Sequence, residues 1–138
     1  MQNVYEFAPA ILLGGLIGLY EAIIIHRDVK VRFHRFGHSI HALLLSTFFV
    51  FCTTNAATIL KLAPLFGNMP LLGTTLGFQI LIGIIAAIRI HAVSRATNLI
   101  NIGGTGETWF HSIIIGISVI VLPRAYALIG SLLPKGIF

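Results

Sequence analysis

The sequence predicts an all-α membrane protein: a four-helix transmembrane bundle made of two helical hairpins, in a single transmembrane domain over residues 1–138. Three observations point there. The chain is 57% hydrophobic and 9% charged, whereas soluble domains carry about 25% charged residues. Its mean hydropathy is +0.96, which leaves too little polar surface to cover a water-soluble fold. Apolar runs near the ~20 residues needed to cross the hydrocarbon core recur four times, separated by charge, glycine and proline.

The first span covers about 7–25 and holds one charge, Glu21. Pro9 falls in its first turn, where a missing N–H costs nothing. Gly14 and Gly18 form a small-xxx-small face that lets another helix approach closely. No positive n-region or cleavage-like motif accompanies this run, so the span is expected to be retained rather than processed. The second span covers about 39–60 and carries Ser46, Thr47, Cys52, Thr53, Thr54, Asn55 and Thr58. Cys52, the single cysteine, excludes an intrachain disulfide. Lys61, Pro64, Gly67 and Pro70 then break the chain. The third span covers about 71–90 and the fourth about 109–131, with Pro123 and Arg124 interrupting the fourth; whether the helix continues past them is left open by the sequence.

A tandem repeat is suggested by Leu12–Gly18 against Leu71–Gly77, each followed by an apolar run ending in a histidine, His26 and His91. Orientation follows from Lys and Arg. Arg27, Lys30, Arg32, Arg35, Arg89 and Arg95 lie in or beside the two hairpin loops, against Lys61, Arg124 and Lys135 at the other end. This bias predicts an integral multi-pass protein with cytoplasmic hairpin loops and both termini outside. The same bias explains the pI of about 10 without nucleic acid, for which no basic soluble module exists.

Chemistry-bearing residues gather at the hairpin-loop end. The stretch Glu21–His41 holds four of the six histidines and two of the four acidic residues. With that topology His26, His34, His38, His41, His91 and His111 share one side with Glu21, Asp28 and Glu107. His34, His38 and His41 stand at i, i+4, i+7 and form one stripe if the second helix begins early enough and Gly37 does not break it. Imidazoles so spaced, completed by Asp or Glu, could hold a transition metal. His41 and His111, at matching depth, could ligate a haem. Equally, the histidines could sense protons or anchor the interface. Gly103–Gly106 resembles a phosphate loop, but no Lys-Ser/Thr follows and Glu107 would repel phosphate.

Glu21 lies about one turn inside its span. A buried carboxylate in hydrocarbon must face a partner or water; an ion or proton pathway and an ion pair with Arg89 or Arg27 are both open. Thr54, Asn55 and Gln79 could continue such a pathway along the bundle or serve helix–helix hydrogen bonding.

Three functions fit. The leading one is an oligomeric ion channel or transporter component with a His/carboxylate cluster that binds or senses a cation or proton. The alternatives are a metal- or haem-binding redox subunit and an accessory structural subunit of a larger membrane complex. The sequence leans against an enzyme, since no nucleophile, base and oxyanion-stabilising set is visible. The partners it implies are the lipid bilayer and a second copy or a membrane complex.

Overall fold

In the computed structural model, residues 6–28, 32–100 and 109–132 are described, with side chains over 6–24, 36–92 and 109–128. Among these residues the structure is helical, without strands. The elements are α1 (Phe7–Asp28), α2 (Arg32–Thr54), α3 (Ala56–Leu62), α4 (Pro64–Gly67), α5 (Thr75–Ile100) and α6 (Trp109–Leu132). Helices α1, α2, α5 and α6 are each long and apolar enough to cross a membrane. The protein is an all-α, multi-pass membrane bundle.

Four boundaries differ from the sequence expectation. Helix α2 starts seven residues early, at Arg32, and runs straight through Gly37. It then stops at Asn55, which adopts φ −97°, ψ 18° in the sparsely populated bridge region. Helix α5 begins at Thr75 rather than Leu71 and continues to Ile100, beyond the expected end of the third span near Ile90. Helix α6 keeps to the expected fourth span, carrying Pro123 in its interior and continuing to Leu132.

The hairpins close through glycine. A Cβ on Gly14 would collide with the Cα of Thr47 and lie 2.9 Å from its backbone nitrogen; one on Gly18 would lie 2.5 Å from the Cα of Leu43. Only a hydrogen side chain admits α2 this close to α1. In the second hairpin a Cβ on Gly116 would lie 2.6 Å from the carbonyl oxygen of Gly83. The helix expected to approach Gly14 and Gly18 is α2 of the same chain.

The two hairpins share one frame. Ala10, Leu13, Gly14, Ile17, Gly18 and Glu21 are buried in α1; 69 residues further on, Gln79, Ile82, Gly83, Ala86, Ala87 and Ile90 are buried or half-buried in α5. The close pairs Gly14–Thr47 and Gly83–Gly116 obey the same offset. The motif match at Leu71–Gly77 does not, because Leu71 to Thr74 form a turn ahead of α5. Contacts between helices follow the same pattern: α1 packs on α2 and α6, α5 packs on α6 and α2, and α2 meets α6. The arrangement is an approximate twofold with α2 and α6 nearest its axis.

The main core joins both hairpins through Leu13, Ile17, Phe49, Val50, Ala86, Ile90, Ile115 and Val119. A smaller one under α3 joins Ala56, Leu60 and Phe78. Ile11, Leu16, Leu44, Phe48, Ile84, Ile88, Ile113 and Ile117 are exposed, the apolar belt a span presents to lipid.

Proline 123 has a structural answer in α2. Its missing N–H strips the carbonyl of Val119, four residues earlier, of a helical donor. Thr53 Oγ1 lies 3.0 Å from that carbonyl oxygen. The carbonyls of Val50 and Phe49 are also in reach, at 3.0 and 3.2 Å, but they already have helical donors, so the single hydroxyl proton does most for Val119. Thr53→Val should therefore cost about 1–2 kcal/mol by leaving a buried acceptor bare. Pro123→Ala, which restores the backbone donor, should remove most of that penalty. A double-mutant cycle on unfolding free energy checks this; independent, additive effects would show that Thr53 does not cap Val119.

Candidate functional site

Buried polar side chains fall into two layers. The first lies towards the termini, where α2 breaks. Asn55 Nδ2 donates to the carbonyls of Phe51 (2.9 Å) and Glu6 (3.3 Å), and Asn55 Oδ1 accepts from the Glu6 backbone N–H at 2.8 Å. The start of α1 is thereby tied to the end of α2. Because α2 stops at Thr54, its last carbonyls lack helical donors. Gln79 Nε2 supplies one, donating to the Thr53 carbonyl at 2.8 Å. Gln79 Oε1 in turn accepts from the Arg124 guanidinium at 2.6 Å. Asn55 and Gln79, considered from sequence as pathway residues, thus spend their described hydrogen bonds on backbone ends and on Arg124. Thr54, grouped with them, has its hydroxyl oxygen buried without a partner among the described residues. Thr53 and Arg124 complete this layer and were not singled out from sequence for it. The signal was available in Pro123, whose stranded carbonyl requires a donor.

The second layer lies about 10 Å closer to the hairpin loops, two helical turns away. Its centre is Glu21, 5% exposed. Ser46 on α2, 2% exposed, donates to Glu21 Oε1 at 3.3 Å. A helical side chain leans towards the N-terminus of its own helix, so the Glu21 carboxylate reaches deeper into the span than its Cα. The Gly14 and Gly18 contacts make this possible by bringing α2 against α1 just above it.

Register brings the other helices to the same layer. Helices α2 and α6 touch at Thr53 and Val119; two turns towards the loops on each are Ser46 and Ser112. Helices α2 and α5 run antiparallel and touch at Thr53 and Gln79; seven residues along each are Ser46 and Ala86. Ala86 and Ser112 are both 0% exposed. The Ser112 hydroxyl has no hydrogen-bond partner among the described residues. A carboxylate, two hydroxyls and an alanine methyl thus lie at one depth across the four spans. Neither Ser46 nor Ser112 was singled out as a site residue from sequence. A serine on a span resembles ordinary packing until its neighbours are known.

The same positions in the second hairpin are apolar. By the shared offset, Glu21 corresponds to Ile90 and Ser46 to Ile115, both in the core. The frame therefore closes without a carboxylate in one of its two copies.

The histidines occupy the loop end in several settings. His91 stacks on Trp109, ring centroids 3.8 Å apart and planes at 17°, tying α5 to α6. His111 on α6 lies against Tyr20 of α1, centroids 5.3 Å apart. His38 is half-buried and His41 exposed on α2. The side chains of His26, Asp28 and His34, and all of Glu107, lie outside the described residues, as do those of Arg27 and Arg95. Among the described residues no three His, Cys, Asp or Glu gather to hold a metal ion. Arg89, considered as a partner for Glu21, is exposed. No known family, curated protein or solved structure matches the chain.

Proposed function

We propose that this chain is a small membrane transport component, channel or carrier, whose working centre is Glu21: a carboxylate inside the bundle that takes up and releases a proton or small cation. The observation that carries this reading is the contrast between the hairpins. A carboxylate deep in a span costs about 2.5–3.5 kcal/mol on insertion scales at the helix centre, less towards the interface. The equivalent position in the second hairpin is filled by Ile90, so the packing frame does not require it. A costly group with no structural necessity is a functional candidate.

The remaining features fit around it. The loop-end histidines, His91 stacked on Trp109, His111 against Tyr20, and His38 and His41 on α2, stand between Glu21 and the loops, which the Lys/Arg bias assigns to the cytoplasm. Protons could be delivered or sensed there. The layer of Asn55, Gln79 and Arg124 closes the opposite end with backbone hydrogen bonds, which favours access to Glu21 from the loop side. Association with itself or with a larger complex draws no support from the glycine faces, since those are occupied within the chain.

The purified protein in sealed liposomes tests this reading. Under an imposed proton or Na⁺ gradient, flux should exceed that of empty liposomes. Absence of flux under both gradients, with the protein folded and inserted, would overturn it.

A further inference from the structure

We propose that the Glu21 layer is a dehydrated site for one monovalent alkali cation of the Na⁺ class, with the hydroxyl oxygens of Ser46 and Ser112 as its neutral ligands; this rests on reading Glu21 as the working centre. Ser112 is the observation that goes beyond that reading. It is 0% exposed and its hydroxyl has no hydrogen-bond partner among the described residues. Thr47 and Ser118 discharge their hydroxyls into carbonyls one turn back, those of Leu43 and Ile114. Ser112 is the fourth residue of α6, so the carbonyl it would use precedes the helix. A buried hydroxyl without a hydrogen-bond partner is costly. A cation bound to its oxygen lone pairs removes the cost.

The chemistry of the layer selects the ion. Its donors are a carboxylate and two hydroxyls, all hard oxygen ligands, which disfavours soft transition metals. Three hard oxygen groups, one of them a carboxylate, suit a monovalent cation better than a divalent one, which asks for more ligands and more negative charge. The Ser46–Glu21 hydrogen bond is long, 3.3 Å, so little is lost when the hydroxyl rotates its oxygen towards an ion. Alanine at position 86 adds no bulk to the layer. Two of the imidazoles at this end lie against rings, His91 on Trp109 and His111 beside Tyr20. The same carboxylate binds a proton when the ion is absent, so protons and cation compete for one position.

Carbodiimide labelling reads that competition directly. N,N′-Dicyclohexylcarbodiimide enters hydrocarbon and modifies protonated carboxyls, and mass spectrometry assigns the adduct to Glu21. In the full chain, NaCl should slow labelling relative to choline chloride at fixed pH and ionic strength, about tenfold at ten times the dissociation constant. S112A should lose the protection by Na⁺, labelling in NaCl as fast as it does in choline; S46A should weaken it. Equal labelling rates in Na⁺, Li⁺, K⁺ and choline would overturn the cation site, and so would undiminished protection in S112A. Flux that still depends on Glu21 while no cation protects would leave a proton as the ligand. Flux indifferent to Glu21→Gln would remove the underlying reading instead.

Discussion

Glu21→Gln should reduce proton or Na⁺ flux at least about tenfold, to the level of empty liposomes, while the bundle stays folded. Glutamine preserves the shape of the side chain and an oxygen that can accept from Ser46, so the 3.3 Å contact can persist. What disappears is the negative charge and the ability to bind and release a proton. Replacing a buried carboxylate with a neutral isostere removes a desolvation cost, so thermal stability should hold or rise. A strictly structural carboxylate would behave the opposite way: removing its charge would leave partners unsatisfied and lower stability, with no specific effect on transport. Flux and melting temperature measured on the same preparation separate the two cases.

Gly14→Leu should be the most disruptive single substitution among the described glycines of the first hairpin. A Cβ at this position collides with the Cα of Thr47 and lies 3.1 Å from the Ser46 carbonyl oxygen. These are backbone atoms, so α1 and α2 must separate. Overpacking of this kind costs about 1–3 kcal/mol even where side chains can adjust; here the cost should reach or exceed the upper end. The separation would also draw Glu21 away from Ser46, so flux should fall with stability. Gly15→Leu is the control, because nothing lies within 4 Å of a Cβ there; it should be neutral or slightly stabilising through better helix propensity. Equal destabilisation by the two substitutions would refute the glycine-mediated hairpin contact.

Much of the fold was legible in the sequence because lipid imposes a coarse and strong rule: long apolar runs become spans. Four spans, two hairpins and the close approach at Gly14 and Gly18 all follow from it. Helix ends were less legible. Asn55 ends α2 by using its amide on Phe51 and Glu6, and nothing local to Asn55 announces Glu6. Pro123 fails to end α6 because Thr53, 70 residues away in sequence, caps the carbonyl it strands. The repeat was visible in kind but set in the wrong register. Leu-Leu-Gly matches are common in apolar sequence, whereas the offset of 69 is written in burial and close contact.

The candidate site was half legible. Glu21 stands out in any apolar run because a charge there is costly. Ser46 and Ser112 do not, since serine is tolerated in spans for many reasons; only helix register makes them neighbours of the carboxylate. Asn55 and Gln79 looked like pathway residues for a related reason. An amide in a span attracts notice, and its backbone partners are invisible until the helix ends are known.

The central claim is that Glu21 and Ser46 serve transport rather than packing, and the second hairpin supplies its own test. The double variant E21I/S46I rewrites the first hairpin with the residues at the corresponding positions of the second, Ile90 and Ile115. Unfolding and flux should be measured together on this variant. The expected result is a bundle at least as stable as the wild type and no flux above empty liposomes. Flux at the wild-type level in the folded double variant would contradict it.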